Sequence, residues 1–593
     1  MTRLALVISL LIYLTFPINA QKKTVSSLCT RDNALDTAKQ QILITRTFDN
    51  PVQRITVLVR AADLLWPHDQ EKSLAAFMEA FDFAVQNFKE KGDQIQRTSS
   101  SQFAAVIPVP DQRFTVISAL AKRDPARARK LSEQILRDDA SEAADKPATD
   151  DESKRRTADK LLTMAHGLAA TDPPSAANFA RQSFRYPATL QLPIFLYELT
   201  KWSKPLADQF YGDALNAYGA APMDQFLYLS SYPFGNKREA GEMPGYTFYL
   251  VPAGFTPNPA LQRLFVRALL ARIEGAMGTP VQEPRYGYSD HAQMWLALNR
   301  LENQVQSNLP EFADAFAQSK DKLFALLTPN TQKNVSRVIT TDNPPARSFD
   351  EQVEAAEKIT DVGRRDRDLA FAVQGGQKEP LDKVLSVIDK ISEAGVRVAL
   401  ANWFYYFRSQ ALIKDKNFPE ARKFASKVTE LDQRAYLYTR IAEESLKAAE
   451  DQTEVREMLN EVANTISKAP KTIVSARALL ALAYLYAKVD MNRGVEELGN
   501  AVQTINTLES PDFSRPFMMI KIEGKAFGSF ASYPTPGFNP ENAFREMGKL
   551  DFDGSLAQAT NFTDKSLRAL TTLAVIEPCF ETKLIRAPKT KKP

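Results

Sequence analysis

Aromatic side chains set among prolines and glycines are the residues of this chain whose types and spacing best suit ligand binding. Exposed rings in loops stack on the flat faces of peptides and sugars. The alternative interpretation is that the rings fold back and pack against the helices. The candidate ligand-binding residues are Tyr232, Phe234, Tyr246, Phe248, Tyr249, Phe255, Tyr286 and Tyr288.

No catalytic or metal-binding motif emerges from the sequence. His68, His166 and His291 are far apart, and none belongs to the helical pair with a neighbouring Glu that binds zinc. Ser319 and Lys322 have the Ser-x-x-Lys spacing of an acylating serine, but charged helices produce that spacing by chance. We therefore expect no catalytic residue, no metal and no cofactor, and binding is a simpler interpretation than enzymatic activity.

Cys29 and Cys579 are the two cysteines of the 593 residues. In an oxidising compartment a disulfide between them would tie the two ends of the chain together. The other interpretation is two buried, unpaired thiols, because two cysteines cannot be the framework of so long a chain. The sequence leaves both interpretations open.

Residues 1–20 have the pattern of a secretory signal peptide. Arg3 precedes an apolar run from Leu4 to Leu14, which is followed by a short segment that ends at Ala20. The run of about 11 residues is shorter than the roughly 20 that a membrane-spanning helix needs. We expect export to the periplasm or the extracellular space, and a mature chain that starts at Gln21 without an integral membrane segment.

The charge of the chain is nearly balanced, at 75 basic and 71 acidic residues. This balance argues against nucleic acid as a partner, since nucleic-acid-binding proteins present strongly basic surfaces. Two segments depart from it: residues 138–157 are predicted to be a disordered charged insertion, and residues 586–593 a basic tail.

Apolar residues recur at three- and four-residue steps over much of the chain, which predicts amphipathic helices. Short connections that contain Asp, Asn or Pro suit helix starts and place successive helices antiparallel. An Arg stands at the start of several of these apolar stretches. From Arg367 onward, successive arginines of this kind are 30, 37 and 43 residues apart, which fits one helical hairpin per repeat. Unless this recurrence is a coincidence, each Arg is expected to pair with an acid on the neighbouring repeat; the set is Arg54, Arg113, Arg263, Arg367, Arg397, Arg434 and Arg477.

Units such as Asn417-Phe418-Pro419-Glu420-Ala421-Arg422 and Asp124-Pro125-Ala126-Arg127-Ala128 resemble the tetratricopeptide-like α-solenoid superfamily. The resemblance implies an all-α fold of stacked antiparallel helical hairpins, in one or two arrays with irregular aromatic loops, and it implies a role in binding. The predicted organisation is a signal peptide (1–20), helical hairpins (21–137), the charged insertion (138–157), a second helical segment (158–327) with an irregular loop (230–259), a linker (328–350), a C-terminal repeat array (351–585) and the basic tail (586–593).

These observations favour an exported, non-enzymatic helical-repeat protein of the cell envelope that binds a protein or peptide partner or acts as a scaffold. One alternative is glycan or polymer binding through the aromatic loops. A second alternative is a polysaccharide-active enzyme on a closed ring of helical hairpins, which would need paired carboxylates in an aromatic-lined cleft.

Overall fold

The computed structural model describes residues 28–580 except 93–94, 98–105, 109–110, 145–150, 238–239, 241–248, 283, 285–286, 343–347, 449–451, 510, 512, 514–516, 526 and 535–537. The chain forms two compact units. Unit 1 comprises Met1–Gln70 and Phe349–Pro593, and unit 2 comprises Glu71–Ser348. The predicted signal peptide and basic tail lie outside the described residues.

Both units consist of stacked helical hairpins, so the prediction of an all-α fold is confirmed. The helices of the first part of the chain are α1 (Arg31–Ile44), α2 (Pro51–Leu65), α3 (Gln70–Lys91), α4 (Gln112–Ala121), α5 (Pro125–Ala144), α6 (Asp151–Leu168), α7 (Pro173–Arg181), α8 (Gln191–Trp202), α9 (Lys204–Tyr218), α10 (Met223–Leu227), α11 (Ser231–Phe234), α12 (Pro259–Ala276), α13 (Asp290–Asn308), α14 (Ala313–Leu326) and α15 (Pro329–Asp342). Those of the second part are α16 (Phe349–Glu357), α17 (Val362–Gly375), α18 (Leu381–Asp389), α19 (Ala394–Lys414), α20 (Phe418–Ala425), α21 (Leu431–Lys447), α22 (Gln452–Ser467), α23 (Ile473–Val489), α24 (Met491–Asn506), α25 (Pro540–Leu550), α26 (Phe552–Thr560) and α27 (Lys565–Ile576). No helix within the described ranges combines the length and the apolarity needed to cross a bilayer.

Two short antiparallel strand pairs accompany the helices. Strands β1 (Ile95–Arg97) and β2 (Val106–Pro108) pair in unit 2, and β3 (Phe517–Glu523) and β4 (Gly528–Pro534) pair in unit 1. Met518, Ile520 and Ile522 of β3 are buried, as the two-residue period of a strand requires of one face. Strand β3 packs on α19, so the strand pair is an addition to the helical stack.

The first helices of the hairpins in unit 1 form a row in which α19, α21, α23, α25 and α27 each contact the next. Their apolar stripes are buried between neighbours, as shown by Leu400, Phe404, Tyr438 and Leu480, each at most 1% exposed. The stability of such a stack comes from contacts between adjacent repeats.

The arginines that open first helices do not share one kind of partner. Arg397 and Arg434 donate to main-chain carbonyl oxygens six residues earlier, so the expected pairing with an acid of the next repeat is wrong for them. In unit 2, by contrast, Arg113 pairs with Asp111 and Asp139.

The N-terminal hairpin of α1 and α2 packs against α27, the last helix of the row in unit 1. Cys29 lies just before α1 and forms a disulfide with Cys579, which lies just after α27. The disulfide therefore joins the end of α27 to the start of α1. Elsewhere in the stack a loop makes this connection between the first and the second helix of a hairpin.

Three predicted boundaries need correction. Helices occupy residues 138–144 and 151–157 of the predicted disordered insertion, because alanine-rich sequence and acids in a first turn both favour a helix. Helix α15 occupies most of the predicted linker, where Pro329 is tolerated in the first turn. The hairpin of α1 and α2, predicted to belong to an N-terminal array, is part of unit 1.

Candidate functional site

The aromatic residues predicted to bind a ligand are largely part of the core of unit 2. Tyr232, Phe234 and Tyr249 are at most 3% exposed. Phe255 is half-buried, and its ring lies edge-on against those of Tyr197 and Tyr232 at centroid distances of 5.4 Å. Buried rings cannot stack on a ligand, so the prediction of an exposed aromatic surface is wrong for the three buried residues.

Hydrogen bonds of the tyrosine hydroxyls explain why these rings are buried. Tyr197 on α8 donates to the carbonyl oxygen of Ser231 at 2.9 Å, and Tyr232 donates to Oδ1 of Asp208 at 2.8 Å. Burial raises the pKa of both hydroxyls well above that of a free tyrosine. The described aromatic residues Tyr232, Phe234 and Tyr249 are thus part of the packing of unit 2.

The other predicted aromatic residues give little support to a site. Tyr246, Phe248 and Tyr286 lie outside the described residues. Tyr288 is half-buried and lines a cavity of about 820 Å³ between the end of α12 and the start of α13.

Two polar residues that line this cavity, Arg272 and His291, connect neighbouring segments of unit 2. Arg272 donates to the carbonyl oxygens of Gly219 and Ala221 at 2.7 and 2.8 Å. The Nε2 atom of His291, a buried side chain, lies 3.1 Å from the carbonyl oxygen of Ala276. These contacts are typical of structural roles.

A second cavity, of about 380 Å³, opens among the first helices α21, α23 and α25 of unit 1. We name it the aromatic cavity, because three rings contribute to its wall. It is lined by Tyr436, Thr439, Arg440, Glu443, Tyr484, Phe538, Asn542, Ala543, Arg545 and Glu546.

Neighbouring side chains hold the rings of the aromatic cavity in place. The Tyr436 ring lies 6.2 Å from that of Tyr406 at an interplanar angle of 27°, and nearly perpendicular to that of Phe538 at 6.1 Å. The Nζ atom of Lys488 lies 4.2 Å from the centre of the Tyr484 ring. A face of each tyrosine ring is therefore covered by the protein itself.

The charged groups around the aromatic cavity pair with one another. Arg440 contacts Glu443 at 3.1 Å, and Lys549 donates to Glu546 at 2.6 Å. Arg545 donates to Glu577. A charged ligand would have to compete with these existing pairs.

The aromatic cavity is also lined by two tyrosines, whose hydroxyls differ from the charged groups in their hydrogen bonding. Neither Tyr436 nor Tyr484 has its hydroxyl in a hydrogen bond with any residue that the structure describes. Burial raises the pKa of Tyr436, which keeps that hydroxyl protonated and able to donate. The cavity thus offers apolar ring surface and two hydroxyls that can donate or accept.

Sequence reasoning missed this cavity, although a signal for it exists. Tyr-Leu-Tyr occurs in two first helices, as Tyr436-Leu437-Tyr438 and Tyr484-Leu485-Tyr486. Tyr438 and Tyr486 belong to the apolar stripes and are buried. Two residues along a helix correspond to a rotation of about 200°, so the first tyrosine of each motif must lie off the stripe.

Residues suited to metal binding do not converge in the described part of the chain. No group of three or more His, Cys, Asp or Glu side chains there has an arrangement that would hold a metal ion.

Comparison with known proteins leaves the chain without an assigned family. No family model matches it. No curated protein matches it significantly. Among solved structures it is similar to a circular tandem repeat protein with novel repeat topology and enhanced subunit contact surfaces, at 9% identity and a TM-score of 0.14, over 92% of this chain and 97% of that one.

Proposed function

We propose that this protein is exported and binds, without turnover, an uncharged extended segment of a partner protein at the aromatic cavity. The observation that carries the proposal is a contrast: the hydroxyls of Tyr436 and Tyr484 make no hydrogen bond to a described residue, whereas the charges around them pair with one another. Such a wall favours a ligand with apolar surface and main-chain carbonyl groups. Proline-rich segments have both features and bind aromatic-lined grooves in other proteins.

A peptide suits the cavity better than a sugar does. Sugars stack on free aromatic faces. Here Tyr406 and Phe538 pack on Tyr436, and the ammonium group of Lys488 lies over Tyr484. A peptide can use ring edges and hydroxyls without a free face.

Two observations support export. The pattern of residues 1–20 is that of a cleaved leader, and we propose a mature chain that begins at Gln21. The Cys29–Cys579 disulfide fits an oxidising compartment, since disulfides rarely persist in the cytosol. Mass spectrometry of the protein from its native host should find Gln21 at the N-terminus, and an intact Met1 would contradict export by this route.

We also propose that the helical repeats of this chain are related to a known class of repeat. The hairpins are related in kind to tetratricopeptide-like units, through starts such as the Asn417 cap followed by Pro419 in the first turn of α20.

The binding proposal is tested with a blocked, uncharged, proline-rich decapeptide that carries a fluorophore. Its anisotropy should report saturable one-to-one binding to the wild type, weakened about tenfold or more in Tyr484→Ala. Tyr405→Ala is the matched control, because Tyr405 is a half-buried first-helix tyrosine with Lys427 over its ring that does not line the cavity. Absent binding, equal losses in both variants, or tighter binding of a neutral oligosaccharide would contradict the proposal.

A further inference from the structure

One wall of the aromatic cavity is held by an acid from outside it. Arg545 lines the cavity, and its Nη1 atom donates to Oδ1 of Asn542, another lining residue, at 2.6 Å. Its Nε atom donates to Oε2 of Glu577, which follows α27. Glu577 thereby fixes the direction in which Arg545 presents its guanidinium group.

Glu577 is itself held by the N-terminal hairpin. Arg60 of α2 donates from Nη2 to Oε2 of Glu577 at 2.6 Å, and its Nε atom lies 3.4 Å from Oε2 of Glu541. Two arginines and two glutamates therefore join α2 to α25 and to the segment after α27. Each acid in this group has a matching cation only while α2 is docked.

The disulfide lies next to this charge group. Cys579 is two residues beyond Glu577, and its bond to Cys29 fixes the start of α1. The hairpin makes further contacts with the same end of the row, since Lys565 donates to the carbonyl oxygen of Thr47 at 3.0 Å.

Loss of Arg60 from this group would leave one cation for two acids. Arg545 would then be shared between Glu541 and Glu577, because two neighbouring carboxylates repel each other unless a cation lies between them. A guanidinium group drawn in that direction loses its alignment with Asn542. The change would alter the cavity wall without altering α21 or α23.

We propose that the N-terminal hairpin, secured by the Cys29–Cys579 disulfide, positions Arg545 and Asn542 in the aromatic cavity, so that the oxidised protein is the form that binds. Arg60 is the positioning residue that transmits this effect. The inference rests on the proposed function for its ligand. The bond forms by exchange with a donor disulfide: the two thiols give up two electrons and two protons, and the donor becomes a dithiol.

Hydrogen–deuterium exchange over residues 540–550 tests the positioning without a ligand. Exchange there should rise about fivefold or more in Arg60→Met, in Cys29→Ser/Cys579→Ser and after reduction with dithiothreitol, whereas exchange over 431–447 should stay unchanged. Arg60→Lys should restore slow exchange, because it keeps the charge. Lys39→Met is the matched control, since Lys39 lies on the same hairpin and pairs with Asp69 at 3.3 Å.

Unchanged exchange over 540–550 in Arg60→Met and in the reduced protein would overturn the inference. An equal rise over 431–447 would also overturn it, because it would indicate general destabilisation. In a second arm the labelled decapeptide should bind the reduced wild type at least about fivefold more weakly than the oxidised one. If the oxidised protein does not bind the decapeptide, the proposed function fails, and the exchange experiment still decides whether the hairpin positions the cavity wall.

Discussion

Arg434 donates a hydrogen bond from Nε to the carbonyl oxygen of Val428, 2.6 Å away, at the turn between α20 and α21. Arg397 makes the same contact with the carbonyl oxygen of Ile391 before α19, and Arg568 with that of Phe562 before α27. The three sites share one spacing. A buried apolar residue comes first, the N-cap of the next helix lies two positions later, and the Arg lies four positions after the N-cap. The arginine thus ties the end of one hairpin to the start of the next.

The same spacing occurs in the N-terminal hairpin. Phe48 is buried, Asn50 caps α2 and Arg54 follows four positions later. The connection from α1 to α2 therefore has the spacing of a connection between two hairpins of unit 1, in agreement with the position of α1 as the second helix that follows α27.

Removal of the arginine contact should destabilise the stack locally. Arg434→Met leaves the carbonyl oxygen of the buried Val428 without this donor, and we expect a loss of about 1–3 kcal/mol in the free energy of unfolding. Urea denaturation followed by circular dichroism measures it. Lys423→Met is the control, because Lys423 makes an exposed pair with Glu420 and should change stability by less than about 0.5 kcal/mol. Equal effects of the two substitutions would contradict a structural role for Arg434.

Close packing of α23 on α24 depends on Gly494. A Cβ atom at this position would lie 2.7 Å from the main-chain nitrogen of Ala487 and 3.0 Å from the carbonyl oxygen of Ala483. Gly494→Ala should therefore cost about 1–3 kcal/mol, because main-chain atoms cannot move aside as a flexible side chain does. Gly499→Ala in the same helix meets only the end of Gln558 at 3.4 Å and should be neutral or stabilising by about 0.5–1 kcal/mol. Thermal denaturation compares the two, and a stable Gly494→Ala protein would show that the helices are farther apart.

A buried ion pair should make unit 2 sensitive to acid. Burial alone would raise the pKa of Asp111, but hydrogen bonds and charges from Arg113 and Lys160 outweigh it and lower the pKa. The stability from Asp111 is thus present above its unfolded pKa of about 3.8 and is lost as the pH falls through the lower folded value.

Asp111→Asn should accordingly cost about 3 kcal/mol at pH 7, because it leaves Arg113 and Lys160 short of a buried partner. The cost should shrink in denaturation curves as the pH falls below about 3.8. Asp124→Asn, at an exposed cap that accepts from the Arg127 amide, should have almost no effect. A cost for Asp111→Asn that does not depend on pH would contradict the charge interpretation.

Glu541 should show the opposite dependence on pH. Burial raises its pKa, and the attraction of Arg60 and Arg545 offsets only part of that effect. Stability linked to Glu541 is therefore present below pH 4.5 and is lost as the pH rises through the folded value. Glu541→Gln should match the wild type at pH 4 and be more stable at pH 7 in urea denaturation. A less stable variant at pH 7 would mean that the ion pair with Arg60 outweighs burial.

Tyr232 should act as a core residue. Tyr232→Ala removes a ring packed between Tyr211 and Phe255, and should cost about 3–5 kcal/mol in calorimetry or denaturant unfolding. Binding of the labelled decapeptide should persist below the unfolding transition. A fully stable Tyr232→Ala variant that no longer binds the decapeptide would contradict the core role and would indicate that the ligand binds near Tyr232.

The sequence allowed the fold class to be predicted but not the site. Apolar stripes such as the one with Leu400 and Phe404 determine a helical stack by their period, whatever the long-range contacts are. Whether Tyr436 faces a cavity depends on how α21, α23 and α25 pack, which local pattern does not contain. The nearness of Cys29 and Cys579 likewise depends on the position of the N-terminal hairpin at the end of a row that lies 550 residues away in sequence.

Photo-crosslinking locates the bound segment most directly. The decapeptide, with a central benzoylphenylalanine, is irradiated with the oxidised wild-type protein, and mass spectrometry identifies the attached residues. Crosslinks are expected within 431–447, 473–489 and 538–550, and they should disappear under excess unlabelled decapeptide. Crosslinks concentrated in 259–308, or spread over both units without competition, would contradict binding at the aromatic cavity.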